Sequence, residues 1–259
     1  MPTTPAWPPA SLPRLFVDEA LAASATLTLD GAAANYLANV LRLGSGARVR
    51  LFDDRTGEWL AEIEDAGRKR VTLVVGERLR ERETVPDLWL LFAPIKRGRI
   101  DWLVEKATEL GVARLVPVLT RRTIVGRLNL HRLRAHAIEA AEQCERTALP
   151  QLAEPVRIDA LLSQWPLERQ LYFADESGGP PLASAVQAGP AALLIGPEGG
   201  FTDAERSAIG SLKQAQPVSL GPRILRADTA AVAAVSLWMA AAGDWSDAPR
   251  RKRDGSIAD

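Results

Sequence analysis

The apolar positions change their period part-way along the chain. Up to about residue 80 they come in short runs, at residues 14–17 (RLFV), 26–29 (TLTL), 47–52, 58–63 and 70–75, which read as strands. Residues 31–41 between them read as one short helix. The breaks Asp53-Asp54-Arg55-Thr56-Gly57 and Asp65-Ala66-Gly67 carry the Asp and Gly chemistry of tight turns. The pattern predicts a small, mostly antiparallel β domain over residues 14–80. The charged stretch ERLRERETVP, closed by Pro86, reads as a linker, and the five prolines in the first 13 residues read as a disordered lead-in.

Beyond Pro86 the runs lengthen and alternate with helical periods. Residues 87–93 (DLWLLFA), 114–118, 171–174 and 191–196 read as strands covered on both faces. Ile100, Leu103, Val104, Ala107 and Leu110 mark a helix over 97–110, stopped by Gly111 with Val112 in contact. Asn129 caps a second helix reaching Gln143, with Leu130, Leu133, Ala137, Ile138 and Ala141 on its apolar face. Two more helices, near 202–211 and 228–242, follow. Strands alternating with helices predict an α/β domain with a mostly parallel sheet over 84–245, and 246–259 reads as a disordered tail.

Composition narrows the chemistry. The single Cys144 makes neither an intrachain disulfide nor a thiolate metal cluster, and two histidines, His131 and His136, are too few for most histidine-built sites, so no metal is expected. The most apolar stretch, 230–243, is too short and too Ala-rich to span a bilayer. The start lacks the pattern of a signal peptide, so a cytoplasmic protein without a membrane partner is expected. Net charge is zero, but residues 96–134 hold ten basic and three acidic side chains, and Arg outnumbers Lys by 27 to 5. That excess points to a polyanion partner.

Two segments concentrate candidate chemistry. In AALLIGPEGGFTDAE (191–205) a buried strand runs into Gly196-Pro197-Glu198-Gly199-Gly200 and then a helix, whose start carries the capping box Thr202–Glu205. Three glycines in five residues allow either a sharp strand-to-helix turn or close approach of backbone amides to a ligand. The loop is neither a Walker A loop nor the GxGxxG fingerprint, and it lies too late in the chain for a first-strand Rossmann loop. In VSLGPRILRADTAAVAAVSLW (218–238) a second glycine turn precedes Arg226, a candidate ligand or catalytic group, and Asp228, a candidate N-cap. Arg132, His136, Glu139 and Gln143 share one helical face, read either as a solvated stripe or as an RNA-facing or subunit-interface surface. Cys144 beside them reads as a buried structural thiol.

LLIGPEGGFTDAE and LGPRILRADTA resemble the two C-terminal signatures of the RsmE family, the 16S rRNA uracil-N3 methyltransferases. LVEKATELGVARLVPV (103–118), EAAEQCERTALP (139–150) and ANVLRLGSGARVRLFD (38–53) resemble three further family segments, so the likeness runs from residue 14 to about 243. It implies a PUA-like N-terminal β-barrel domain and a C-terminal SPOUT methyltransferase domain with a trefoil knot. It also implies S-adenosylmethionine as cofactor, a homodimer, and 16S rRNA or the small ribosomal subunit as substrate. Matching positions give cofactor-loop candidates at Leu194, Gly196, Glu198, Gly199, Gly200, Leu220, Ile224 and Leu225. Arg226 would stabilise charge on the uracil carbonyl oxygens, with Glu198, Asp228 or water taking the N3 proton. RNA contacts are expected from Arg14, Arg42, Lys96, Arg97, Arg121, Arg122 and Arg146. Asp228 stands where the family commonly has Glu, and Ala227 where Thr is frequent. A SPOUT ribose 2′-O-methyltransferase or a non-catalytic RNA-binding module are the other readings.

Overall fold

In the computed structural model, which describes residues 12–67, 69–125 and 127–247, the short N-terminal runs pair into a five-stranded sheet. Its strands are β1 (Arg14–Phe16), β2 (Thr26–Asp30), β3 (Arg48–Phe52), β4 (Glu58–Ala66) and β5 (Arg70–Arg80), in the order β1-β3-β4-β5-β2. Only β1 and β3 run parallel. Alternate residues such as Leu27, Leu29, Leu51, Ile63 and Leu73 turn inward and pack on Ala34 and Leu37, from α1 (Gly31–Asn35) and the π-helical turn Tyr36–Val40 that continues it. The Asp53 turn is held by its own carboxylate, which accepts from the N–H groups of Leu21, Arg55 and Thr56 and from the Thr56 hydroxyl. Burial raises the Asp53 pKa, but those donors outweigh it and the net shift is downward.

The stretch expected to be a linker is partly strand. β5 continues to Arg80 because Arg80 lies opposite Glu58 on β4, an opposite-charge cross-strand pair. Glu58 is 2% exposed and holds three arginines, with Arg14 Nε at 2.5 Å, Arg80 Nε at 2.8 Å and Arg50 Nη1 at 3.7 Å. The same arginines bind Glu145–Ala148, a segment from much later in the chain that belongs to this unit. Arg14 Nη2 donates to the Arg146 carbonyl at 2.5 Å, Arg80 Nη2 to the Glu145 carbonyl at 3.0 Å, and Arg50 Nη2 to the Glu145 carboxylate at 3.2 Å. The Glu83 carboxylate accepts from the N–H groups of Thr147 and Ala148, both at 3.1 Å. Arg14 and Arg146 are therefore buried structural groups, and the expectation that they contact RNA is corrected.

The second unit holds Val85–Cys144 and the described chain from Leu149 onward. Its strands are β6 (Leu88–Phe92), β7 (Arg114–Leu119), β8 (Gln151–Leu152), β9 (Val156–Arg157), β10 (Gln170–Ala174), β11 (Ala191–Ile195) and β12 (Ala215–Val218). All pair in parallel, in the order β12-β10-β11-β6-β7-β8, with β9 also on β7. One face packs on α2 (Arg97–Glu109), α3 (Leu130–Cys144), α5 (Leu182–Ala185) and α7 (Ala227–Ala242). The other packs on α4 (Ile158–Ser163) and α6 (Asp203–Gly210). α2 ends in a Schellman motif, with Val112 N–H donating to the Ala107 carbonyl and Gly111 N–H to that of Thr108. Asn129 caps α3 by accepting from the Arg132 N–H at 3.0 Å.

Several expectations change. Arg226, not Asp228, is the N-cap of α7, and Asp228 sits in the first turn. The apolar surface of α7 is largely buried in its own core through Ala231, Val235, Trp238 and Met239. On the α3 face, Arg132 pairs with Asp101 at 2.9 Å and His136 with Glu105 at 2.7 Å, both on α2. Cys144 is exposed rather than buried. The expected lead (1–13) and tail (246–259) fall almost wholly outside the described residues. No helix among the described residues is long and apolar enough to cross a membrane.

Burial raises the Glu58 pKa, but Arg80 and Arg14 outweigh it and hold the net value below the usual glutamate range. Stability from this lowered pKa is complete above roughly pH 4.3 and is lost as pH falls through the lower folded value. Glu58→Gln leaves three guanidiniums around a neutral group and is expected to cost about 3–5 kcal/mol. Urea unfolding at pH 7 and at pH 3 checks both statements, the gap between wild type and variant closing at the lower pH.

Candidate active site

The turns leaving β11, β10 and β12, three adjacent strands, meet around one cavity of about 320 Å³ at the carboxyl edge of the sheet. The chain leaves β10 for β11 on one side and then crosses to β12 on the other, so the strand order reverses here, where parallel sheets form their ligand crevices. From the β11 turn, Ile195, Gly196, Glu198 and Gly200 line the cavity. From the β12 turn come Leu220, Gly221, Ile224 and Leu225, and Ala227 and Ala230 of α7 close it. Asp175 and Glu176 line the β10 side, where Arg206 of α6 pairs with Asp175 at 3.0 Å.

Strand alternation decides which expected residues reach this space. In β11, Ala191, Leu193 and Ile195 face α7 while Ala192 and Leu194 face α4 and α6, so the Leu194 side chain is core and not cavity wall. Gly199 is not in the cavity wall either; a Cβ there would meet Arg122 Cδ at 3.3 Å. Gly196 and Gly200 are the glycines that matter. A Cβ on Gly196 would lie 3.1 Å from the Phe201 ring. Gly200 has φ +67°, and a Cβ on it would lie 2.8 Å from Glu176 Oε1.

The loop after β7 anchors the glycine turn. Arg122 Nη1 donates to the Gly199 carbonyl at 2.5 Å, so this arginine, expected to face RNA, tethers the turn. The Arg121 N–H donates to Glu205 Oε1 at 2.7 Å, and Glu205 Oε2 accepts from the Thr202 N–H at 2.9 Å, completing the capping box. Burial raises the Glu205 pKa, but these backbone donors overcome it and the net value is lowered.

Arg226 and Asp228 do not line the cavity. Arg226 follows the lining residue Leu225 at the mouth, exposed and, among the described residues, without a side-chain partner. Asp228 Oδ2 lies 3.7 Å from Arg99 Nε, and the Nη1 of the same guanidinium pairs with Glu198. Sequence reasoning missed Arg99. The signal was available, because α2 opens with Lys96, Arg97 and Arg99 and no acid, against the helix dipole. Arg42, Lys96 and Arg121 are exposed, Arg42 at φ +55°, and the Arg97 side chain lies outside the described residues.

Apolar walls with backbone turns suit a flat heterocycle, and the carboxylates of Asp175, Glu176 and Glu198 suit hydroxyl and cationic groups on the same ligand. The residues therefore fit a nucleoside-type cofactor carrying positive charge, as the sequence resemblance implies.

Residues 81–239 match the RNA methyltransferase domain family, and residues 29–76 match the RNA methyltransferase PUA domain family. By class this is an RNA methyltransferase with a PUA domain. Ribosomal RNA small subunit methyltransferase E of Rickettsia conorii is 31% identical over 227 residues, 86% of this chain and 93% of that protein. The crystal structure of ribosomal RNA small subunit methyltransferase E from Neisseria gonorrhoeae, bound to S-adenosyl methionine, aligns with a TM-score of 0.83 at 27% identity, over 90% of this chain and 99% of that one. A putative methyltransferase from Legionella pneumophila, in complex with the bound cofactor SAM, also aligns at 0.83, with 30% identity and the same coverage. The chain belongs to the ribosomal RNA small subunit methyltransferase E family.

Gly200→Ala forces a side chain into a left-handed backbone and against Glu176, and is expected to cost about 1–2 kcal/mol. Gly210→Ala, at a position with open space around its Cβ, should leave the melting temperature within a degree or so of wild type or raise it. Thermal melts of the two variants side by side test the strain at Gly200.

Proposed function

We propose that the chain is a cytoplasmic, homodimeric enzyme that uses S-adenosylmethionine to methylate N3 of a uridine in 16S rRNA of the small ribosomal subunit, with the trefoil knot that the resemblance implies. The observation that carries the reading is the glycine-walled cavity at the carboxyl edge of β10, β11 and β12 with an unpartnered arginine at its mouth. Gly196 and Gly200 let backbone approach the cofactor, and Leu220, Ile224 and Leu225 give its base an apolar seat. When bound, the cofactor supplies the methyl group as an activated sulfonium.

The chain's own task is alignment and charge. A uracil N3–H must lose its proton, and negative charge then spreads onto the flanking carbonyl oxygens. Arg226, charged at any physiological pH, donates to those oxygens. Glu198 and Asp228 are already bound to Arg99, so the proton passes to water at the open mouth. Arg42, Lys96, Arg97, Arg121 and the free edge of Arg122 contact phosphates, which places the rRNA without reading its sequence.

Arg226→Ala is expected to lower single-turnover methylation by roughly 10²–10³-fold while cofactor affinity by calorimetry stays within a few-fold. Arg226→Lys should recover part of the loss, since a point charge does not reproduce the planar fork. Mass mapping of rRNA from cells with and without the protein identifies the nucleoside, and a methylated ribose in place of N3-methyluridine would replace this reading by the ribose 2′-O one.

The dimer is supported by apolar side chains left at the surface of the methyltransferase unit, with Ile224 91% and Trp102 41% exposed. Light scattering at low micromolar concentration should give about twice 28.0 kDa, and Trp102→Glu, at a residue outside the cavity wall, should shift the mass towards that of one chain.

A further inference from the structure

Arg99 stands on the first turn of α2 and is the cation, among the described residues, that pairs with either Glu198 or Asp228. Those two carboxylates come from different segments, the glycine turn after β11 and the first turn of α7. Asp228 lies two residues beyond Arg226 in the chain. Glu198 lines the same cavity as Leu225 and Ala227, the two chain neighbours of Arg226. A guanidinium beside two unpaired carboxylates would be captured by one of them, because a charge-assisted pair forms wherever geometry allows. Arg226 is nevertheless without a side-chain partner among the described residues, and Arg99 occupies both acids.

We propose that Arg99 is a positioning residue, the counter-ion that occupies Glu198 and Asp228 so that the Arg226 guanidinium stays free for the substrate's carbonyl oxygens. It touches neither substrate nor reacting atoms and acts through Arg226. The proposal deepens the methyl-transfer reading and rests on it for the rate measurements alone.

The test has one arm that needs no cofactor or RNA. In the unliganded full-length protein the Arg226 Nε–H signal, assigned by its loss in Arg226→Lys, should be broadened by solvent exchange. In Arg99→Gln it should sharpen and shift as the freed Glu198 or Asp228 captures Arg226. In Arg99→Gln/Glu198→Gln/Asp228→Asn, where both acids are neutral, it should broaden again. Calorimetry and melting curves on each variant identify any that fail to fold, and Arg99→Lys, which keeps one cation at the position, should fall between wild type and Arg99→Gln.

The second arm is single-turnover methylation of small-subunit rRNA. Arg99→Gln should lower the rate about tenfold with cofactor affinity unchanged within a few-fold. The triple variant should be faster than Arg99→Gln alone, an outcome that loss of a merely structural contact does not produce. An Arg226 signal identical in wild type and Arg99→Gln overturns the proposal. So does a triple variant slower than Arg99→Gln, which would make Glu198 or Asp228 the proton acceptor. If the wild-type protein methylates no small-subunit rRNA, the methyl-transfer reading falls, while the Arg226 signal still decides what Arg99 does.

Discussion

The candidate site depends on one carboxylate that makes no ion pair among the described residues. Glu205 is 6% exposed, yet its oxygens accept from the N–H groups of Arg121 and Thr202 and from the Thr202 hydroxyl. It thereby closes the N-terminus of α6 and pins the loop after β7 to the turn after β11. Arg122, the next residue, tethers that turn through the Gly199 carbonyl. A turn with three glycines has little conformational preference of its own. Its shape is set from outside, by a capping interaction and a neighbouring loop, and the cavity wall inherits that shape. Replacing Glu205 by a residue of the same size without the charge would leave two part-buried backbone donors with a weaker acceptor.

Arginine serves two different purposes along the chain. The count of 27 arginines, with the excess over residues 96–134, suggests a polyanion partner. Burial divides that set. Arg14, Arg50 and Arg146 lie in the N-terminal unit with their guanidiniums turned inward, and Arg169 holds the Asp87 and Ala191 carbonyls at 3.0 Å. Arg42, Lys96 and Arg121 keep to the surface. Sequence shows charge and not accessibility, which is why Arg14 and Arg146 read as RNA contacts. Arg99 escaped notice for the opposite reason. Its meaning comes from two acids about 100 and 130 positions away in the chain, and only the fold brings them together.

Periodicity carried the fold far where one element buries one face. The i, i+3, i+4 spacing of Ile100, Leu103, Val104 and Ala107 located α2, Asn129 located the start of α3, and the Thr202–Glu205 pair located α6. The short pieces α4, α5, β8 and β9 were not legible, being two to six residues long with no room for a period to repeat. The N-cap of α7 was misplaced because Asp is a favoured capping residue, whereas this helix is capped two residues earlier, at Arg226, with no side-chain cap. At the site, the two glycine turns were visible as sequence. Which of their residues face the cavity was not, since Leu194 and Ile195 differ only in the side of β11 they occupy.

The segment Glu145–Ala148 bears on how the chain reaches this structure during synthesis. The strands of the N-terminal unit leave the ribosome before those of the second, and a unit of that size would ordinarily fold as soon as it emerged. Here Arg14 and the part-buried Arg80 have backbone carbonyls of Arg146 and Glu145 as acceptors, and these are made more than sixty residues after β5 ends. Until then the Arg14 and Arg80 guanidiniums lack those two acceptors. Translation must pass through β6, α2, β7 and α3 before the earlier unit can close, so the completion of the first domain is timed by the growth of the second.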